Sequence, residues 1–253
     1  MFKKNLENLQ LTLQKKNIDL AIITDDDSLY YFTGYFDFLH MSFGRPTILL
    51  VPKDSETILI TPLIDAYLVK TDCPVDKIVT WNDGIDNEWR EHLPKYIKKN
   101  LVVATEKFKI STLVLNYISS LVEEKLLKNI TPILDSIRMV KTDEELKIAR
   151  SAGKVAEAMM HAGKEVIGHN VPEYEVALAT SQAGTRKAAE ILEKEFEGSD
   201  LSPLIHFLQI MASGEDLLKT HHRASTKLLQ DGDPVFLCFC GMTNFHKFKI
   251  GFD

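Results

Sequence analysis

Apolar residues at Phe2, Leu6, Leu9, Leu11 and Leu13 recur at helical spacing and predict an amphipathic helix over residues 2–17. The apolar run Ile18–Thr24 ends in Asp25-Asp26-Asp27-Ser28, the pattern of a buried strand entering a turn. Thr47–Val51 and Thr57–Ile60 predict two more strands, separated by the turn-forming Pro52-Lys53-Asp54-Ser55. The alternation continues with a helix near Leu63–Val69, a strand near Lys77–Thr80 and a helix around Asn87–Lys99. A strand at Leu101–Thr105 and a helix at Ser111–Glu124 complete it. Strands alternating with helices in this way predict an α/β domain, a mixed sheet flanked by helices, over residues 1–132.

Residues 133–142 read as a linker. Thr142-Asp143-Glu144-Glu145 then has the form of a capping box, a hydroxyl at the N-cap and a carboxylate three residues on. Leu146, Ala149, Ala152, Val155, Ala156 and Met159 follow at three- and four-residue spacing, so a long helix starts here and ends at Gly168. Val171-Pro172-Glu173 opens a second helix running to about Glu197. Ile205–Met211 and Pro234–Phe239 read as strands, with a third at Phe245–Phe248. Residues 133–253 therefore form a second, α+β domain.

Composition narrows the function. The chain has 253 residues, 45% hydrophobic and 26% charged, which fits two ordinary globular domains. A formal net charge of −6 argues against nucleic-acid binding, which calls for a basic face. No apolar run approaches the roughly 18 residues of a membrane span. The start Met1-Phe2-Lys3-Lys4-Asn5 leads into an amphipathic pattern rather than a signal core. Three cysteines, Cys73, Cys238 and Cys240, suggest no disulfide framework, and a cytoplasmic location is expected.

Several segments, in order, resemble the creatinase/prolidase (Xaa-Pro peptidase) family. Ile137–Arg150 resembles the junction between its domains, and Asp27–Gly34 resembles an early loop and short helix of its N-terminal domain. Met211-Ala212-Ser213-Gly214 followed by His221 is similar to the family's first active-site histidine loop. Gly232-Asp233 is similar to the entry to the strands that carry its metal-binding aspartates. The resemblance implies an α/β N-terminal domain followed by the first half of a pita-bread catalytic domain. It also implies that the second half, with another histidine and two glutamates, would lie beyond Asp253.

Metal-dependent members of the family need carboxylates at set places, because oxygen ligands hold and bridge hard cations. The first such aspartate falls on Cys238 and the second on Gly251, so the resemblance implies no metal cofactor. It leans toward the metal-independent creatinase branch and its ectoine-hydrolase relatives. Phe43-Gly44-Arg45 matches the substrate-binding motif of that branch, where an aromatic ring packs on the substrate and a guanidinium fork grips its carboxylate. In the family this motif reaches the neighbouring subunit's site, which implies a homodimer. His221 takes the place of the catalytic histidine, and Asp253 falls near a glutamate that holds the guanidinium group. The reaction implied is hydrolysis of a C–N bond in a small zwitterionic amidine or guanidine.

Plainer readings stand beside these. His221 and His222 also fit exposed loop histidines, Cys238 and Cys240 fit small core residues of one strand face, and Phe43 and Arg45 fit ordinary packing and surface roles. Two rival functions remain. One is a metal-dependent Xaa-Pro dipeptidase holding two Mn, Co or Zn ions, with Asp253 as a ligand. The other is a pita-bread binding protein without catalysis.

Overall fold

The computed structural model describes every residue except 36–43, 71–72, 83–87, 197–201, 205, 246–247 and 253, and describes only the backbone at 68, 70, 206–209, 240–245 and 248–252. In chain order the first unit contains α1 (Phe2–Lys15), β1 (Leu20–Ile23), α2 (Asp26–Thr33), β2 (Ile48–Pro52) and β3 (Ile58–Pro62). It continues with α3 (Ala66–Lys70), β4 (Lys77–Trp81), α4 (Trp89–His92), β5 (Val103–Thr105), α5 (Thr112–Leu121), β6 (Leu127–Asn129) and α6 (Thr131–Met139). The second unit contains α7 (Asp143–Val166), α8 (Glu173–Glu195), β7 (His206–Ser213), β8 (Val235–Phe245) and β9 (Phe248–Phe252). The two compact units are residues 1–141 and 142–253.

The six strands of the first unit lie in the order β4-β3-β2-β1-β5-β6. β1 pairs antiparallel with β2 and parallel with β5, so the sheet is mixed. Central strands covered on both faces are apolar throughout, and Leu20–Ile23 is buried at every position. Ala21 and Ile23 join Leu6, Leu9 and Leu13 of α1 and Leu29 and Phe32 of α2 on one face. Leu20 and Ile22 meet Trp81, Trp89 and the α5 residues Val114 and Ile118 on the other. Leu11, counted in the predicted α1 stripe, is exposed, and the buried set Phe2, Leu6, Leu9 and Leu13 keeps the tighter spacing.

A buried polar group interrupts this apolar layer. Asp25 caps α2, accepting from the Ser28 backbone N–H at 3.1 Å. The Ser28 hydroxyl lies 3.0 Å from Asp25 Oδ2 and 2.7 Å from Glu106 Oε1. Glu106, just past β5, is 1% exposed. A hydroxyl has one proton to give. If Ser28 gives it to Asp25, Glu106 must bring its own, and desolvation indeed pushes the Glu106 carboxyl up to about 7.

Several elements depart from the sequence-based expectation. The predicted linker contains α6, with Pro132 in its first turn, where proline is well tolerated. The helix predicted at 87–99 is a short α4 followed by a 3₁₀ turn at Leu93–Lys95, because the Pro94 ring does not fit inside a continuing helix. The three-residue β6 was not predicted, and the third strand of the second unit lies at Phe248–Phe252 rather than Phe245–Phe248.

In the second unit α7 starts at the capping box. Thr142 Oγ1 accepts from the Glu145 N–H and Glu145 accepts from the Thr142 N–H. Ile148, Ala152, Val155 and Met159 of α7 pack with Ala188, Ile191 and Leu192 of α8 and with Phe239 of β8. The sheet is antiparallel throughout, in the order β7-β8-β9. Among the described residues no helix is long and apolar enough to cross a membrane.

Candidate active-site loop

The loop between β7 and β8 brings together the two motifs that the sequence separates. Ser213-Gly214 leaves β7 into a 3₁₀ turn at Gly214–Leu218, and Gly232-Asp233 leads into β8. The Gly214 N–H donates to the Pro234 carbonyl at 3.0 Å, closing the base of the loop. Gly214 has φ +55°, and a Cβ there would lie 2.9 Å from an Asp233 carboxylate oxygen. Glycine is required at this position by conformation and by space.

The loop is held from beneath by Glu173, in the first turn of α8 and wholly buried. Its Oε1 accepts from Ser213 Oγ at 2.8 Å. Its Oε2 accepts from Ser225 Oγ at 2.7 Å and from the Ser225 N–H at 3.0 Å, with His222 Nε2 at 3.2 Å. A carboxylate offers only acceptors, so the facing His222 nitrogen carries a proton. Burial raises the Glu173 pKa, but these donors outweigh it and hold the group below its ordinary value. The start of α8 is satisfied by the same segment: the Glu173 N–H donates to the Lys227 carbonyl at 2.9 Å and that of Tyr174 to the Ser225 carbonyl at 3.1 Å. Two N–H groups that a helix start leaves without intrahelical partners are thus paired.

Beside this centre, Asp216 accepts from Lys219 at 2.5 Å and from Lys227 at 3.1 Å. The two ammonium groups hold its carboxyl well below the usual range, to about 2. Lys227 also donates to the Ser213 carbonyl at 2.6 Å. Ligand-type atoms of Glu173, Asp216 and His222 lie within 4.8 Å of one another. Hydroxyl, N–H and ammonium donors already engage the carboxylate oxygens of Glu173 and Asp216, so a cation there would compete with them. Of the two hairpin positions singled out in the sequence, Cys238 on β8 is paired opposite Ile210 and Gly251 on β9 opposite Met242.

His221 stands beside this network rather than in it. It is exposed, and its φ of +59° puts it in the left-handed region that non-glycine residues seldom occupy. Its neighbour His222, which the sequence marked as ordinary, makes the buried contacts. Arg45 belongs to the first unit, in the segment that enters β2, where the Trp81 indole N–H donates to the Pro46 carbonyl at 3.1 Å. Phe43 and Asp253 lie outside the described residues. Glu173, Ser225, Asp216 and Lys227 were not anticipated. A glutamate in the first turn of a helix ordinarily faces solvent and the helix dipole, and nothing local marks this one as buried.

Comparison with known proteins adds the lineage. The Creatinase/Prolidase N-terminal domain matches residues 5–140, more than half of the chain. The chain belongs to the creatinase/prolidase family. It is 22% identical to the agropine synthesis cyclase of Rhizobium rhizogenes, over 96% of this chain and 63% of that protein. It is 24% identical to the creatinase of Bacillus sp. (strain B-0618), over 90% and 54%. An Xaa-Pro dipeptidase of Lactobacillus helveticus is 26% identical over 68% and 47%. The chain therefore spans less than two thirds of each of these family relatives. In structure it resembles the prolidase of Pyrococcus horikoshii OT3, with a TM-score of 0.73, 18% identity and coverage of 96% of this chain and 61% of that one. The fold is thus the family's mixed α/β N-terminal domain followed by part of its pita-bread domain.

Proposed function

We propose that this creatinase/prolidase family chain serves a metal-independent hydrolase that opens a C–N bond in a small zwitterionic amidine or guanidine. The observation that carries the reading is the loop carrying His221, an imidazole open to solvent on a backbone tied down at both ends by a buried carboxylate. In the reaction His221 takes a proton from water as the water oxygen attacks the amidine carbon. The C–N bond then breaks as the departing nitrogen receives that proton, leaving an amine and an amide, or urea from a guanidine. General acid–base catalysis of this kind contributes about 10²–10⁴-fold. Arg45 would grip the substrate carboxylate, Phe43 would pack on its apolar face and Asp253 would hold its cationic group, with the N-terminal domain of one subunit serving the site of its partner in a homodimer. Similarity to a creatinase over 90% of the chain supports this choice, as does the thiol at position 238 in place of an expected metal ligand.

His221→Ala in the full-length enzyme is the test, assayed on creatine, a cyclic amidine and an Xaa-Pro dipeptide. Amidine or guanidine turnover should fall by about 10²–10⁴-fold, and unchanged turnover would reject His221. The dipeptidase among the relatives keeps a second reading open, a peptidase using Mn, Co or Zn. Two such ions per subunit by elemental analysis, with activity confined to the dipeptide, would establish it instead.

A further inference from the structure

From the bonding of its carboxylate we infer that Glu173 is the positioning residue of this site, fixing His221 through Ser213, Ser225 and His222. The inference rests on the proposed role of His221 for its catalytic meaning, but the geometry stands by itself. Ser213 is the last residue of β7 and Ser225 lies beyond His222, so the two serines bracket the segment that carries both histidines. One oxygen of Glu173 holds the first serine and the other holds the second, at 2.8 and 2.7 Å. Between these anchors the chain contains a 3₁₀ turn, a strained φ at His221 and exposed side chains at Leu218 and His221. Such a segment has little apolar burial of its own to fix it.

The fourth contact bears on the histidine pair directly. His222 Nε2, 3.2 Å from Glu173 Oε2, sets the ring of the residue adjoining His221 and gives it one tautomer when neutral. Asp216 also faces His222, its Oδ2 4.0 Å from Nε2, but lies beyond hydrogen-bond reach. Asp216 is paired with Lys219 and Lys227, and Lys227 reaches the Ser213 carbonyl rather than its hydroxyl. A glutamine at position 173 would keep the volume but lose the charge, and with its amide nitrogen turned to Ser213 Oγ it would leave Ser225 and His222 a single neutral oxygen. That makes Glu173→Gln a disruptive substitution despite its size.

The test compares native protein with Glu173→Gln by amide hydrogen exchange and by the ¹⁵N-resolved imidazole signals of His221 and His222. Amides across residues 214–225 should exchange about tenfold to a hundredfold faster, the range expected for losing charged hydrogen bonds. The protected Nε2–H signal of His222 should vanish, while α7 and α8 keep their protection. Turnover should show kcat falling with KM held, since Arg45 and Phe43 are left intact. Unchanged exchange across 214–225 together with a persisting His222 signal would overturn the inference. Should Glu173→Gln fail to fold, Ser225→Ala and Ser213→Ala each remove one anchor and must loosen the same segment; if neither does, the inference fails. A protein inert toward every substrate would reject the proposed hydrolase but leave the exchange and imidazole results to decide the role of Glu173.

Discussion

Glu106→Gln removes a charge that the first unit buries at the carboxyl end of β5. Desolvation raises the carboxyl from 4.5 to about 7; nearby Asp25 pushes in the same direction, while Ser28 and Lys109 oppose it. At roughly 1.4 kcal/mol per pH unit, the rise corresponds to about 3 kcal/mol. The folded state holds the proton more tightly than the unfolded chain does, so stability is full below pH 4.5 and declines as pH rises through about 7. The glutamine amide mimics the protonated acid, because its N–H can donate to Ser28 Oγ while Ser28 continues to donate to Asp25. The variant and the native protein should therefore be equally stable near about pH 4.5, and the variant more stable by about 3 kcal/mol near about pH 8. Urea unfolding reads this difference, and both tryptophans of the chain, Trp81 and Trp89, are buried in the first unit and report on it selectively. With m of about 1–3 kcal/mol/M, the midpoints should separate by about 1–3 M at the alkaline end. Midpoint differences that are the same at both pH values would refute the reasoning.

Two further substitutions probe the second unit. At Gly163 a Cβ would lie 2.6 Å from Leu237 Cδ2 and 2.8 Å from Thr180 Cγ2, so Gly163→Ala should destabilise this unit by about 1–3 kcal/mol, read as a lower melting temperature by circular dichroism. Thr142→Ala removes the side-chain half of the capping box and should cost about 1 kcal/mol, whereas Thr142→Ser should cost little.

Periodicity carried most of the architecture. The start of α7 was legible because a capping box and a three-to-four spacing agree with one another, and the central strands because they are uniformly apolar. The elements that escaped are those decided by tertiary contact. Three residues at Leu127–Asn129 become a strand only because β5 is there to pair with, and Thr131-Pro132 resembles a boundary until the helix that follows is packed. The site divides in the same way. Ser213-Gly214 and Gly232-Asp233 were readable as motifs, and the fold joins them at the base of one loop. Glu173 was invisible because its partners lie 40 and 52 residues away in sequence. The role expected of His221 was implied by the family resemblance, and a resemblance in sequence does not tell which imidazole is turned inward.

The six-stranded sheet has a bearing on ancestry. Among the described residues, both of its apolar layers draw their members from between Leu6 and Ile137. That core lies within the first compact unit, which ends at Lys141. A core held within one unit lets sequence outside that unit change without reopening it, a latitude that suits a family whose members bear the names of a cyclase, a creatinase and a dipeptidase.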